Sequence, residues 1–351
     1  MTVLVAGASG FLGTAVLRQL DEPVVALLRG TDYENRARTL ARRTGVPVDG
    51  LPGDVRRPSW GLTDRQVDEL RERGVRWVVN LAGDVAWSAP WSRLSDVNVD
   101  GPANAAALAA RLGAGILQAG SLYAGYDYGV EVGEHLLDER EHLTKYERSK
   151  LRGELMVARA SRQHDLKAVI ARIPALSGDM DPVAGVRPSA SKVPLARLVM
   201  SGWFPALPFS TGARLDICPR DLVAARLARL LADPGPDQLQ VRNVGQGVAA
   251  PLVEAFAREA SAASRHEPRS FPRPVRSPSA WLKAISRQAD RLAESPRTSA
   301  YIGLRYFASD TVFVSSGLDR EVSLRTLVQT LGMPHQAEPA DLSGYYAAWP
   351  A

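Results

Sequence analysis

Residues Val5 to Gly13 read VAGASGFLG, and Gly7, Gly10 and Gly13 give the spacing G-x-x-G-x-x-G. The chain holds 29 glycines, so the stretch decides nothing until its flanks are read. The run Thr2–Ala6 precedes it and an amphipathic run from Phe11 follows, which makes a strand, a glycine turn and a helix. In that setting the first two glycines permit a tight turn and close approach of the backbone to a pyrophosphate. The third lets the helix pack on the strand, with its N-terminal N–H groups aimed at the anion. The expected dinucleotide contacts of this loop are Gly7, Ser9, Gly10, Phe11, Leu12 and Gly13.

Outward from the loop, short apolar runs alternate with amphipathic stretches. Strands are predicted at Thr2–Ala6, Val24–Leu28, just before Gly53-Asp54, Trp77–Leu81, Gly115–Ala119, Ala168–Arg172 and Leu239–Val244. Helices are predicted at Phe11–Asp21, Arg65–Arg73, Val99–Leu112 and Tyr146–His164, and one beginning near Asp221. This alternation predicts an α/β fold, a Rossmann-type doubly wound parallel sheet with a smaller C-terminal substrate-binding lobe. Residues 1–175 form the expected nucleotide-binding domain. Residues 176–351 form the expected lobe and lid, with about 214–245 returning to the sheet. No internal repeat is visible.

Composition narrows the class. The 351 residues carry 45% hydrophobic and 23% charged side chains and a net charge of +5, ordinary values for a globular protein. The single cysteine, Cys218, excludes an intrachain disulfide and a thiolate metal cluster. The chain shows no basic leader ahead of a longer apolar stretch and no apolar segment of spanning length, so the expectation is a cytoplasmic protein without a membrane span. No nucleic-acid module is visible. His135, His142, His164, His266 and His335 lack metal-ligand spacing and are expected at the surface, and no metal is expected.

The end of the second strand selects the cofactor. An acid there bonds a ribose 2′-hydroxyl, and an arginine accommodates a 2′-phosphate. The strand Val24–Leu28 ends in Arg29, and Arg38 could reinforce it along with Arg36, which favours NADPH; Asp32 also stands near the distance expected of an acid. Asp54, with Val55 beside it, is a candidate adenine contact, and Leu81, Ala82 and Gly83 are candidates for a loop passing the cofactor.

Tyr146 and Lys150 stand four apart on a predicted helix and share one face. A phenol titrates near 10, and a neighbouring ammonium is expected to lower that value and make tyrosine a usable proton donor. A third group should be a hydroxyl closing an earlier strand. Ser121, after Gly115–Ala119, could stabilise an oxyanion or simply turn the chain.

The order GASGFLG, GDV, NLAG, Ser121, YERSK and Arg172-Ile173-Pro174 resembles the extended short-chain dehydrogenase/reductases. Asp84–Gly101 (DVAWSAPWSRLSDVNVDG), Tyr146–Glu154 (YERSKLRGE) and Pro174–Asp179 (PALSGD) resemble its thioester-reductase and fatty acyl-CoA reductase branch, the male-sterility-like NAD-binding proteins. The resemblance covers residues 1 to about 245 and thins to a stretch around Leu304–Leu318. It implies Ser121, Tyr146 and Lys150 as catalytic residues, with Lys150 and Ile173 also against the cofactor. It further implies NADPH-dependent reduction of an acyl thioester to aldehyde or alcohol. The chain departs from that branch at Gly120, where a hydroxyl residue is usual, at Asn80 in place of a histidine, and at Pro102 in place of a threonine.

Substrate is expected over the carboxyl ends of the strands, with Tyr123, Leu176, Trp203 and Phe209 as candidate contacts that would equally suit a core; Phe204 and Trp281 are further candidates. From Arg265 to Arg297 arginines outnumber acids around a short amphipathic segment, Trp281–Ala293. This stretch could dock an acidic acyl-carrier protein or form a solvated lid. The alternative activities are a ketone or alcohol oxidoreductase of the hydroxysteroid or dihydroflavonol type, a nucleotide-sugar epimerase or dehydratase, and a non-catalytic NADP(H) sensor.

Overall fold

The computed structural model describes residues 2–126, 129, 131–140, 144–180, 212–263, 306, 309–315, 317, 318 and 320–331. Its centre is a seven-stranded parallel sheet. The strands are β1 (Thr2–Ala6), β2 (Val24–Leu28), β3 (Val48–Pro52), β4 (Val75–Asn80), β5 (Gly115–Ser121), β7 (Ala168–Ile173) and β10 (Leu239–Asn243), in the order β10-β7-β5-β4-β1-β2-β3. The order reverses between β1 and β4, and outside their carboxyl ends lies the crevice where such sheets take ligands. A short pair, β8 (Ala175–Ser177) with β9 (Ile217–Pro219), continues from β7. A second pair joins β6 (Glu131–Val132) to β11 (Val312–Phe313).

Both faces of the sheet are covered, which is why its strands read as unbroken apolar runs. On one face Val3, Val5, Ala26, Val79, Leu117 and Val169 pack beneath α1 (Phe11–Leu17), α2 (Tyr33–Thr44) and α7 (Arg220–Ala232). On the other, Leu4, Ala6, Val25, Val78, Ile116 and Ile170 meet α3 (Asp64–Glu72), α5 (Asp100–Leu112) and α6 (Lys145–His164). Helix α4 (Trp91–Asn98) leads into α5, while α8 (Val253–Ala263) and α9 (Leu324–Thr330) pack together beside β9.

Several helices differ from the sequence expectation: α1 ends at Leu17 rather than Asp21, and α8 and α9 were not anticipated. Helix α2 was not anticipated, because its buried side consists of only Ala37, Leu40 and Thr44 on an otherwise charged surface. The helix expected from Val99 starts at Asp100 and is preceded by α4, the two being separated by a backbone break at Val99 (φ −113°, ψ −58°). His135 and His164 are exposed. The other histidines, Trp203, Phe204, Phe209, the segment Trp281–Ala293 and the Arg265–Arg297 stretch lie outside the described residues.

Candidate active site

The glycine loop is shaped by contacts a side chain would block. Gly7 has φ +78°, and a Cβ there would lie 2.7 Å from Ala82 N and from the Leu81 carbonyl carbon. A Cβ on Gly13 would overlap the Gly7 carbonyl oxygen, so α1 can start where it does only with glycine at 13. Gly10 N donates to Gly7 O at 2.9 Å and closes the turn. Ser9 is exposed, and Phe11 and Leu12 are half-buried at the helix start. The loop therefore lies against Leu81-Ala82 at the point where the strand order reverses. This bare backbone beside a helix N-terminus suits a dinucleotide pyrophosphate.

Farther along the carboxyl edge, Arg29 is exposed, and its backbone carbonyl accepts from Arg36 at 2.5 Å. Arg38 donates to Asn35, which donates in turn to Asp32, so Asp32 and Arg38 are bound into one surface chain. Asp54 forms a two-oxygen ion pair with Arg56 at 2.6 Å. That hydrogen bond holds its carboxyl below the usual range, with the Arg29 charge acting the same way. Val55 is buried, and Asn104 of α5 donates to its carbonyl at 3.0 Å.

Ser121 ends β5, and Tyr146 and Lys150 stand one turn apart on α6. All three are buried. The Tyr146 hydroxyl donates to Ser121 Oγ over a long 3.5 Å, and Ser121 Oγ also accepts from Tyr123 N at 3.3 Å. Helix α6 begins where it does because of a capping box. Thr144 Oγ1 accepts from Glu147 N, and a Glu147 carboxylate oxygen accepts from Thr144 N at 2.8 Å. Lys150 Nζ reaches the loop after β4: a Cβ on Gly83 would lie 2.8 Å from it. Ile173 pairs with Ser121 across the sheet, and Leu176 of β8 pairs with Cys218 of β9.

The expected lowering of the Tyr146 phenol is not what the site produces. Burial pushes it up to about 12, the Ser121 bond opposes this, and the charges of Glu147 and Asp84 add to the rise. Desolvation of the phenol in this wall is the largest influence on it and favours the protonated form of Tyr146.

Other residues, not singled out in the sequence, position this group. Asn98, the last residue of α4, is 1% exposed. Its amide nitrogen donates to Asp84 O at 2.9 Å and Ser149 Oγ at 3.0 Å, while its amide oxygen accepts from Asp84 N at 2.9 Å. Ser149 Oγ donates to Tyr146 O at 2.7 Å. Asn98 thus ties the loop after β4 to the turn of α6 that carries Tyr146. The helices approach this closely because residue 153 is glycine, where a Cβ would overlap the Asn98 carbonyl oxygen. Next to it Glu154 pairs with Arg172 at 2.9 Å, both side chains fully buried. A Cβ on Gly120 would lie 2.6 Å from Glu154 Oε1, which accounts for glycine where a hydroxyl residue was expected.

Beside Tyr146 stands an aromatic wall. Tyr123 meets Trp87 edge-on at 5.4 Å, Tyr306 at 4.2 Å and Tyr126 at 5.5 Å. The Tyr306 hydroxyl donates to Glu147 Oε1 at 2.8 Å. Trp87 and Tyr123 remain half-exposed and pack against Tyr146. At the opposite end, Arg220 lies 4.6 Å over the Phe11 ring, donates to Phe11 O at 3.1 Å and pairs with Asp179 through both carboxylate oxygens. Among the described residues no group of three or more histidine, cysteine or acidic side chains is placed to hold a metal, and no helix is long and apolar enough to cross a membrane.

Comparison with known proteins fits this arrangement. The family described as male sterility protein, an NAD-binding family, matches residues 5–227, well over half of the chain. The chain belongs to that family. The family is one of NAD-binding proteins, in keeping with the glycine loop at the start of the chain. It is 34% identical over 124 residues to the D-lysergyl-peptide-synthetase subunit 3 of Claviceps purpurea, covering 31% of this chain and 8% of that protein. It is 33% identical over 125 residues to the L-2-aminoadipate reductase large subunit of Penicillium chrysogenum, covering 31% and 9%. The chain thus matches less than a tenth of the length of these relatives. In fold it is similar to the terminal R domain from the myxalamid PKS-NRPS biosynthetic pathway, with a TM-score of 0.71, 18% identity, and coverage of 94% of this chain and 89% of that one.

Proposed function

We propose that this protein is an NADPH-dependent reductase of acyl thioesters, carried on an acyl-carrier protein or coenzyme A, giving aldehyde or alcohol. The observation that carries the reading is the meeting of the Ser121 and Tyr146 hydroxyls at 3.5 Å, with Lys150 one turn on and its Nζ against Gly83, in the loop that also packs on the glycine turn at Gly7. The relative named as an L-2-aminoadipate reductase and the fold shared with a terminal R domain support thioester chemistry. NADPH over NADH rests on Arg29, exposed at the end of β2, while Asp32 is engaged by Asn35.

When bound, the cofactor would supply a hydride to the carbonyl carbon. Ser121 Oγ donates a hydrogen bond to the oxygen as it gains charge, and Tyr146, held protonated, is the group that gives it a proton. Lys150, whose Nζ lies against Gly83, would hold the nicotinamide ribose. With a thioester, the hemithioacetal so formed then collapses: its carbon–sulfur bond breaks as the hydroxyl gives up its proton, which passes to the departing sulfur, leaving aldehyde and free thiol.

The deciding experiment follows NADPH oxidation with short and long acyl-pantetheine thioesters while free thiol is measured in the same sample. Thiol released in step with NADPH loss is expected. Turnover of ketones or aldehydes with no thiol release would replace this reading with a carbonyl reductase. The acidic carrier is tested separately: charge reversal at Arg287 and Arg291 should slow carrier-bound more than free thioesters.

A further inference from the structure

Several buried or partly buried carboxylates in this protein face arginine: Glu154 has Arg172, Asp179 has Arg220, Asp84 has Arg93, and Glu134 has Arg242; buried Glu147 is instead taken up by Thr144 N and the Tyr306 hydroxyl. Asp216 is different. It stands just before β9 and is half-buried, and among the described residues no cation pairs with it. One carboxylate oxygen accepts from Gln246 N at 2.9 Å and from the Cys218 thiol at 3.4 Å, and the other from Gly247 N at 3.2 Å. The backbone around it is shaped to admit it. A Cβ on Gly245 would lie 2.5 Å from Asp216 Oδ2, and Gly247 takes φ +57°.

Its position is at the working edge of the sheet. Ile217, the next residue, pairs with Ala175, two residues beyond the end of β7, and Gly245–Gly247 follow the end of β10. The Asp216 charge is felt at the Tyr123 phenol, which feels Tyr146 as well. Tyr123 packs against Tyr146 and is near enough to Asp216 to feel its charge. A charge taken from water costs free energy unless a partner of opposite sign arrives. Burial pushes the Asp216 carboxyl up, in keeping with that missing partner.

We propose that Asp216 is a specificity-determining residue that receives a cationic group of the substrate, the ammonium of an amine-bearing acyl group. This deepens the thioester-reductase reading and rests on it. The two backbone N–H groups and the Cys218 thiol fix the carboxylate, and the one acceptor site left, on Oδ2, is for the ligand.

The test compares alanyl-pantetheine with its propanoyl and N-acetylalanyl counterparts, and aminoacetone with butanone, in the wild-type protein and in Asp216→Asn. The reading is the ratio of kcat/KM for the free amine over its uncharged counterpart, which a purely structural role would not move. A ratio of about ten or more is expected in the wild type, as a hydrogen bond between charged groups gives. Asp216→Asn should bring it near one. A wild-type ratio of one or below overturns the proposal, whether or not the variant folds, as does a ratio that survives the substitution. If only the ketone pair turns over, the thioester reading fails and the ratio is read on ketones; turnover of neither pair overturns both.

Discussion

At the scale of single residues the site turns on a phenol held protonated. A tyrosine raised above its ordinary value stays in acid form throughout the neutral range, as a proton donor in a reduction requires. Tyr146→Phe keeps the ring in the aromatic wall and removes only the hydroxyl. Turnover should fall by about a hundred- to ten-thousandfold, the usual worth of a positioned acid, while fluorescence titration with NADPH shows unchanged affinity. Loss of cofactor binding along with turnover would mean that Tyr146 supports the fold instead. The pH dependence carries a sign. Because burial pushes Tyr146 up to about 12, its contribution to stability is full below its unfolded value near 10 and is lost as pH rises toward 12. Tyrosinate absorbance, wild type minus Tyr146→Phe, should therefore show no ionisation of this residue up to about pH 10. A midpoint near neutrality would show that Lys150 outweighs burial.

At the scale of elements, α6 is held from both ends of its active turn: by the capping box at Thr144 and Glu147, and by the buried Glu154–Arg172 pair that ties it to β7. Arg172 also donates to His135 O at 3.0 Å, which fastens the chain leaving β6 to the same point. Arg172→Met leaves a carboxylate buried without its counter-ion and should lower the unfolding free energy by about 3–5 kcal/mol, measured by urea denaturation. A loss below about 1 kcal/mol, the level of an exposed pair, would show that Glu154 finds water or another donor.

What the sequence announces at this scale is what is encoded locally. The β1–loop–α1 unit and the Tyr146–Lys150 spacing each lie within a few residues, so periodicity reveals them. Helix α2 was legible in principle from Ala37, Leu40 and Thr44 at helical spacing, but three positions among arginines and polar residues form a faint stripe. Asn98, Gly153, Gly120 and Arg172 take their meaning from partners tens of residues away. No local pattern marks an asparagine whose amide bonds both Asp84 and Ser149.

At the scale of the whole molecule, the cofactor loop is closed by the far half of the chain. Arg220 stands 209 residues beyond Phe11, stacks on its ring, donates to its carbonyl and is oriented by Asp179. The N-terminus of α1, where a pyrophosphate would rest, is thus held by the first residue of α7 and by a carboxylate two residues beyond β8. If this clamp sets the loop, its loss should appear in cofactor binding before chemistry. Asp179→Asn removes the charge that orients the guanidinium, and Arg220→Met removes the guanidinium while keeping apolar bulk over Phe11. Either should raise the NADPH dissociation constant about tenfold, as expected for a charged hydrogen bond, with KM for NADPH rising more than kcat falls. The same loss can be read without substrate. NADPH at about a hundred times its dissociation constant should stabilise the wild type by about 2.7 kcal/mol, and at that concentration a tenfold weaker variant should gain about 1.4 kcal/mol. Equal stabilisation of both, together with a fall in kcat, would place Arg220 on the substrate side of the site and leave the glycine loop able to hold its own shape.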